Sequence, residues 1–282
     1  MRNCNFRRVS LGCLLCLAMF LAGCTINLGS WAMQAKYERT VRLSAPLSPG
    51  STFAAETHNG SITTNGADVA DCDLTATIVA RAATEEDARE LAEKIEITLE
   101  PSDNRLTARI KKPTHLVNKS VSVSLDAAVP NRTDLELRTH NGAVRVADIT
   151  GHVNATTHNG KVATERISGA VVLETHNGAV TCTELSGNAR LKTHNGSVEA
   201  YYSEAAASAN DISIITYNGG IAFTAPPGLS ARIDASTHNG SINTDLPITV
   251  SGKVSKRQLA GTIGSGQGRL HLETHNGSIR IQ

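Results

Sequence analysis

Aromatic residues are scarce in this sequence, and its charge is almost balanced. Phenylalanine, tryptophan and tyrosine together make up 3% of the 282 residues. The formal net charge is +1, and Arg2, Arg7 and Arg8 supply three of the positive charges, which leaves −2 for the rest of the chain. This balance gives no reason to expect a nucleic acid as partner. The low aromatic content favours a thin core filled by small aliphatic side chains.

The chain also lacks an apolar run of the roughly 20 residues that a membrane-spanning helix needs. Its longest run, Leu11 to Leu21, follows three arginines and precedes Ala22, Gly23 and Cys24. A charged start, a short apolar region and a small-residue cleavage site are typical of an export signal. Leu-Ala-Gly-Cys resembles the bacterial lipobox, in which the cysteine carries the lipid. We therefore expect residues 1–23 to be a lipoprotein signal peptide and Cys24 to be lipidated; the alternative is an ordinary secretory signal.

Residue 25 bears on the destination of the protein. It is Thr and not the Asp that often retains such lipoproteins in the inner membrane. In a Gram-negative host this favours the outer membrane. The sequence thus predicts a cell-envelope protein that contacts the membrane through its lipid anchor.

Cysteine is too rare in the folded part for a disulfide-stapled scaffold. Of six cysteines, three fall in the signal and Cys24 would carry lipid, so only Cys72 and Cys182 remain. Both lie in phase with apolar neighbours and are interpreted as small core residues. A bridge between them is possible but not indicated.

One tetrapeptide dominates the rest of the chain. Thr-His-Asn-Gly begins at residues 57, 139, 157, 175, 193, 237 and 274, and Thr-Tyr-Asn-Gly begins at 216. From 139 to 193 it recurs at every eighteenth position, and glycines recur at every ninth position from Gly142 to Gly196. Fixed periods this short are typical of a solenoid.

Each nine-residue half of the repeat contains alternating apolar residues, as in Gly142-Ala-Val-Arg-Val, and therefore predicts a short, half-buried strand. Gly142, Gly160, Gly178 and Gly196 are expected at corners, where a positive φ favours glycine. Two sides make one coil, and the coils would stack in parallel about 4.8 Å apart. The fold class predicted for residues 136–282 is mainly β, a parallel β-solenoid (β-helix) of about 18 residues per coil. Insertions at 201–211 and 245–266 are expected to be loops.

The N-terminal third has a different pattern. After a tether at residues 24–35, it contains one repeat at 57 and the single convincing helix, Thr84 to Ile95. Thr84 and Asp87 predict a capping box at the start of that helix. Strand patterns cover residues 74–80, 95–99, 106–110 and 121–129. We interpret residues 36–135 as an α+β cap that covers one open end of the solenoid.

Over residues 36–282 the chain resembles the bacterial putative-adhesin domains of β-strand repeats, a family of largely unknown function. The resemblance rests on an early Asn-Gly-Ser-Ile at 59–62, an acidic helix, repeated Thr-x-Asn-Gly-x-Val units and the ending Gly264-Ser-Gly-Gln-Gly with Thr274-His-Asn-Gly. It implies a β-strand-repeat fold. The chain departs from the family at the position between Thr and Asn, which varies there but is His seven times out of eight here.

Nothing in the sequence predicts an enzyme. Polysaccharide-cleaving β-helices cluster carboxylates on one face, whereas Glu165, Glu174, Glu184 and Glu199 fall at scattered repeat positions. Only Glu56, Glu174 and Glu273 share the position before Thr. No nucleophile motif stands out, and the glycine motifs are interpreted as corners.

The repeated histidines are the candidate binding residues. Stacked coils would align His140, His158, His176, His194, His238 and His275 into a column with rings about 4.8 Å apart. They stack either as flat polar rings in a structural ladder or as ligands for a transition metal or haem. Tyr217 would interrupt a metal site. The direction of the rings can be inferred in two ways. Alternation of strand residues from the inward Leu173 turns the rings outward, whereas aligning the two nine-residue halves of each repeat places them level with the apolar Ile149, Ile167 and Leu185, which look buried. We favour the outward direction.

The sequence leaves two hypotheses for function. One is a non-enzymatic, lipid-anchored envelope protein, without a cofactor, whose solenoid surface serves adhesion or binds an envelope polymer or a protein. The alternative is transition-metal or haem binding by the histidine column.

Overall fold

The computed structural model describes residues 35–113, 116–251 and 255–282. The expected signal peptide, Cys24 and most of the tether therefore lie outside the described residues. The described chain is mainly β, and all of its 23 strands belong to two sheets in which parallel pairing dominates. The prediction of a mainly β, solenoid-like fold is confirmed. No helix among these residues is long and apolar enough to cross a membrane.

The strands alternate between the two sheets along most of the chain. The N-terminal elements are β1 (Ala35–Pro46), β2 (Thr52–Asn59), β3 (Ile62–Ala67), β4 (Asp71–Ala82), α1 (Glu85–Glu93), β5 (Glu96–Ser102), β6 (Arg105–Lys111) and β7 (Ser120–Pro130). The regular repeats form β8 (Asp134–Asn141), β9 (Val144–Ile149), β10 (Val153–Asn159), β11 (Val162–Ile167), β12 (Val171–Asn177), β13 (Val180–Leu185), β14 (Ala189–Asn195) and β15 (Val198–Tyr202). The C-terminal strands are β16 (Asp211–Asn218), β17 (Ile221–Thr224), β18 (Ala231–Asn239), β19 (Ile242–Thr244), β20 (Thr249–Val250), β21 (Gln258–Ile263), β22 (Gly268–Asn276) and β23 (Ile279–Ile281).

Pairing between regular repeats places the same repeat position directly above itself. Val153 pairs with Leu135 on one side and Val171 on the other, a shift of one repeat each way. Alternate residues of each strand point into the space between the two sheets, where Val, Ile, Leu and Ala side chains are almost completely buried. This core is continuous along the stack. Each repeat therefore presents an equivalent set of outward positions to its neighbours.

The corner glycines are placed as expected, but the reason given for them is wrong. Gly142, Gly160, Gly178 and Gly196 lie at the bends between consecutive strands of opposite sheets, and none has a positive φ. An added Cβ at Gly160 would instead lie 2.0 Å from the carbonyl oxygen of Gly142 on the preceding coil. Glycine is needed here because two backbones approach too closely for a side chain, not because of the local conformation.

The C-terminal strands do not stack in chain order. In one sheet β22 lies between β16 and β18, and in the other β23 lies between β17 and β19. The coil that contains the last Thr-His-Asn-Gly (β22 and β23) therefore lies in space between the coil of β16 and β17 and the coil of β18 and β19, although it comes after both in sequence. The prediction of a loop at 245–266 is also wrong. The segment contains β20 and β21, and β21 pairs antiparallel with β18.

The N-terminal helix forms where the capping pattern predicts it. The Thr84 hydroxyl accepts a hydrogen bond from the Asp87 N–H at 3.1 Å, and Ala88, Leu91 and Ala92 are buried. At the other end Arg39 donates to the carbonyl oxygen of Ala92 at 2.9 Å, which satisfies a helix-terminal acceptor. The helix contacts β1 and β4. Strand β1, which pairs antiparallel with β4 along its whole length, was not predicted from the sequence.

Candidate functional site

The threonine of each Thr-x-Asn-Gly unit fixes which way the next residue points. Thr157 is 2% exposed, and its hydroxyl donates to the carbonyl oxygen of Gly142 on the preceding coil at 2.9 Å. Thr175 and Thr193 make the same bond to Gly160 and Gly178. Since successive strand residues point to opposite faces, the residue after each inward threonine must point to solvent.

The asparagines form a second ladder along the same edge. The side-chain amide nitrogen of Asn159 donates to the amide oxygen of Asn141 at 2.7 Å, and Asn177 donates to Asn159 at 2.8 Å. The ladder continues through the remaining repeats to Asn239. Together the threonine and asparagine bonds hold consecutive coils in register.

Between these ladders the rings form one continuous stack, which we call the ring column. Its members, in spatial order, are His58, His140, His158, His176, His194, Tyr217, His275 and His238. Neighbouring ring centroids lie 4.6 to 4.9 Å apart and the planes differ by at most 4°. All the rings except the half-buried His275 are exposed, so the outward orientation is confirmed.

Tyr217 does not interrupt the column. Its ring stacks on His194 at 4.9 Å and on His275 at 4.6 Å. The inserted C-terminal coil supplies His275 as its neighbour, and His238 then ends the column. The column therefore crosses one sheet without a gap, from β2 at one end to β18 at the other.

An open groove of about 780 Å³ runs beside the ring column. Its other wall is the row of outward residues two positions before each ring, which we call the flanking row. Along the groove these residues are Glu56, Arg138, Thr156, Glu174, Lys192, Ile215 and Glu273. The sequence had indicated the three glutamates at this position, but not the two basic residues that alternate with them.

Some of the charges in and near the groove form ion pairs. Lys192 and Glu174 lie 3.0 Å apart in the flanking row. One row further out, Arg105 donates to Glu136 at 2.6 Å, and this hydrogen bond lowers the pKa of the Glu136 carboxyl below its usual range. Because both side chains are about two-fifths exposed, the pair contributes little to stability. The groove therefore combines hydrogen-bonding ring edges with carboxylates and a few cations.

The expected alternative of a metal centre has no site in the described part of the chain. No group of three or more His, Cys, Asp and Glu side chains there could hold a metal ion. The rings are parallel and 4.6 to 4.9 Å apart, whereas two nitrogens on one zinc ion lie about 3 to 4 Å apart. The stacked geometry thus does not bring neighbouring imidazoles together as ligands.

The two cysteines of the folded part lie in the core. Cys72 and Cys182 are buried and unpaired with each other. Burial raises the pKa of each thiol to about 12, so both remain protonated at neutral pH. Their interpretation as small core residues agrees with this environment.

Comparison with known proteins places the chain in a family. A family model described as Toastrack DUF4097 matches residues 92–282, about two-thirds of the chain. The chain belongs to the Toastrack DUF4097 family. The match includes every coil from β8 onward, whereas the first repeat at 57 precedes it. Among curated proteins, none matches this Toastrack chain.

Several solved structures resemble this Toastrack chain at a distance. A "putative cell adhesion protein" from Clostridium sporogenes is 12% identical, covers 86% of this chain and 99% of its own, and has a TM-score of 0.40. A "putative adhesin" from Bacteroides fragilis is 14% identical, with 86% and 97% covered and a TM-score of 0.43. A "putative lipid binding protein" from Parabacteroides distasonis is 12% identical, with 89% and 98% covered and a TM-score of 0.29.

Proposed function

We propose that the protein is a non-enzymatic, lipid-anchored cell-envelope protein whose solenoid serves adhesion, presenting the ring column to an envelope polymer or a protein. The observation that carries the proposal is the uninterrupted column of eight solvent-facing rings beside an open groove. The core does not need these rings, because inward threonines and aliphatic side chains fill the interior. A row of identical exposed groups offers a partner many equivalent contacts at once, which raises avidity.

In this proposal residues 36–135 close one end of a solenoid of 18-residue coils. The helix and β1 belong to this unit, and an uncovered strand edge would invite aggregation. The cap also lies next to the anchor, because few residues separate Cys24 from Ala35. A fully extended link between the two reaches at most about 40 Å. The cap would therefore lie near the membrane surface. In a Gram-negative host, that membrane would be the outer membrane.

Anchoring is tested by replacing the lipid-bearing thiol. Cys24→Ser should move the protein from the membrane fraction to the soluble or retained-precursor fraction, and its mass should lose the lipid. Cys16→Ser, within the signal peptide, serves as the matched control and should leave the mature mass and the membrane fraction unchanged. Unchanged membrane association and mass in Cys24→Ser would show that the protein is not a lipoprotein.

The binding face is tested by site-specific crosslinking in intact cells. A photo-crosslinking residue replaces His176 in the ring column or, as the control, Thr183 on the opposite sheet; both side chains are exposed. The proposal expects envelope material to be captured from position 176 and not from 183. Equal capture from both positions, or none from 176, would contradict it.

A further inference from the structure

The ring column contains seven imidazoles in one row, and this makes its charge depend on pH. Histidine is the side chain whose charge ordinarily changes between pH 5 and 8. With neutral rings the groove has almost no net charge, since its flanking row carries three carboxylates and two cations. With protonated rings the same groove carries a strong positive charge along the whole column.

The groups that face the rings do not compensate this charge. Glu56, Glu174 and Glu273 oppose it, whereas Arg138 and Lys192 add to it. The next row outward contributes Glu136, Arg190, His271 and Asp234, of which Glu136 is bonded to Arg105. Lys161 lies beyond the asparagine ladder, and Arg109 and Lys112 lie near His58.

Neighbouring imidazolium charges on rings 4.6 to 4.8 Å apart repel one another. An extended anion in the groove would remove this repulsion, so protonation and anion binding must strengthen each other by linkage. The regular ring spacing of 4.6 to 4.9 Å suits a chain with anionic groups at regular intervals. A compact anion could meet only one or two rings.

We propose that the ring column binds an extended acidic polysaccharide and that binding strengthens as the histidines become protonated. This rests on the proposed function, because it names the class of polymer that the exposed column would take. The glutamates of the flanking row favour an acidic polysaccharide over a polyphosphate. The carboxylates of Glu56, Glu174 and Glu273 repel any polyanion, but sugar hydroxyls can donate hydrogen bonds to them, whereas a polyphosphate has no donors.

The probe is polygalacturonate, a linear uronate polymer, immobilised on a biosensor. The full chain, purified in detergent, is measured at pH 5.0 and pH 7.5 and at low and high salt. We expect tighter binding at pH 5.0 that weakens with salt. Dextran, polyphosphate and vesicles containing an anionic lipid are the comparison ligands.

The column itself supplies a variant that removes charge without removing the stack. Tyr217 already occupies one ring position, so His158→Tyr, His176→Tyr and His194→Tyr combined should preserve stacking. Losing three exposed ion pairs should weaken binding at pH 5.0 about tenfold, a larger loss than at pH 7.5. Tyr217→His should instead strengthen binding at pH 5.0. His152→Gln, off the column and outside the groove, should change little.

Each result bears on the proposal. Binding that is independent of pH, or equally tight in the triple tyrosine variant with an unchanged denaturation midpoint, would overturn it. Tighter binding of polyphosphate, anionic vesicles or dextran would overturn the assignment to acidic polysaccharide. A parallel experiment measures binding of the parent protein and the triple tyrosine variant to isolated envelope material at pH 7.5. If both proteins bind this material while neither binds polygalacturonate, the proposed function stands and the inference of an acidic polysaccharide fails.

Discussion

Gly160 and Gly142 meet across consecutive coils so closely that a Cβ on Gly160 would lie 2.0 Å from the Gly142 carbonyl oxygen. The same approach recurs at Gly178, Gly196 and Gly219, each against the glycine of the coil before it. The carbonyl also accepts the hydroxyl hydrogen bond of Thr157. The corner is therefore a contact between coils and not only a bend in one of them.

The first prediction compares two adjacent glycines in one corner. A Cβ at Gly219 would lie 2.0 Å from the Gly196 carbonyl oxygen, whereas at Gly220 the nearest atom lies at 3.2 Å. Gly219→Ala should lower the free energy of unfolding by about 1 to 3 kcal/mol, because backbone must shift. Gly220→Ala should change it by less than about 0.5 kcal/mol, since other repeats carry Ala or Ser there. Urea denaturation measures both; equal effects would contradict the close-approach explanation.

The second prediction separates two buried threonines. Thr157→Val removes the hydrogen bond to Gly142 and should lower the free energy of unfolding by about 1 kcal/mol. Thr64 is also buried, but its hydroxyl has no hydrogen-bond partner among the described residues, and it pairs in register with Val146. Thr64→Val should leave stability unchanged or raise it. A loss in Thr64→Val as large as in Thr157→Val would show that the inward hydroxyl bond is not what stabilises the coil.

The third prediction concerns the thiols. With burial raising the pKa of Cys72 and Cys182 to about 12, neither should react with a thiol reagent at pH 8 in the folded mature protein. After denaturation without reductant, both should be labelled, as mass spectrometry of the peptides would show. Labelling of the folded protein at the rate of a free cysteine, or no labelling after denaturation, would contradict this placement.

The fourth prediction concerns Glu136. The hydrogen bond from Arg105 is the main cause of its lowered pKa, and the charge of Arg138 is the smallest contribution. Arg105→Gln should therefore raise the pKa of Glu136 more than Arg138→Gln does, as a carboxyl NMR titration would measure. Because the folded pKa lies below the unfolded value, the small stability gained is complete above the unfolded pKa near 4.3 and is lost as pH falls through the folded pKa. An equal shift in both variants would contradict the assignment.

Much of the fold follows from local pattern. The 18-residue recurrence of Thr-His-Asn-Gly predicted stacked repeats, and the alternation from Leu173 through Thr175 correctly turned His176 to solvent. The capping box at Thr84 located the helix. Each of these features depends on residues a few positions apart, and the period of a strand or a helix expresses them directly.

By itself, then, the sequence determined the repeat and favoured inward threonines and outward rings, because the two-residue period of a strand expresses both. Only the tertiary structure decided which coil neighbours which. Every coil offers the same Thr, Asn and ring positions to pair with, so the pattern is equally compatible with several orders of stacking. Pairing placed β22 between β16 and β18 and left the outer edge of β18 to β21. That choice made Tyr217 and His275 neighbours in the ring column. The need for glycine at Gly142 and Gly160 likewise arises from a neighbouring coil, a contact that no local pattern contains.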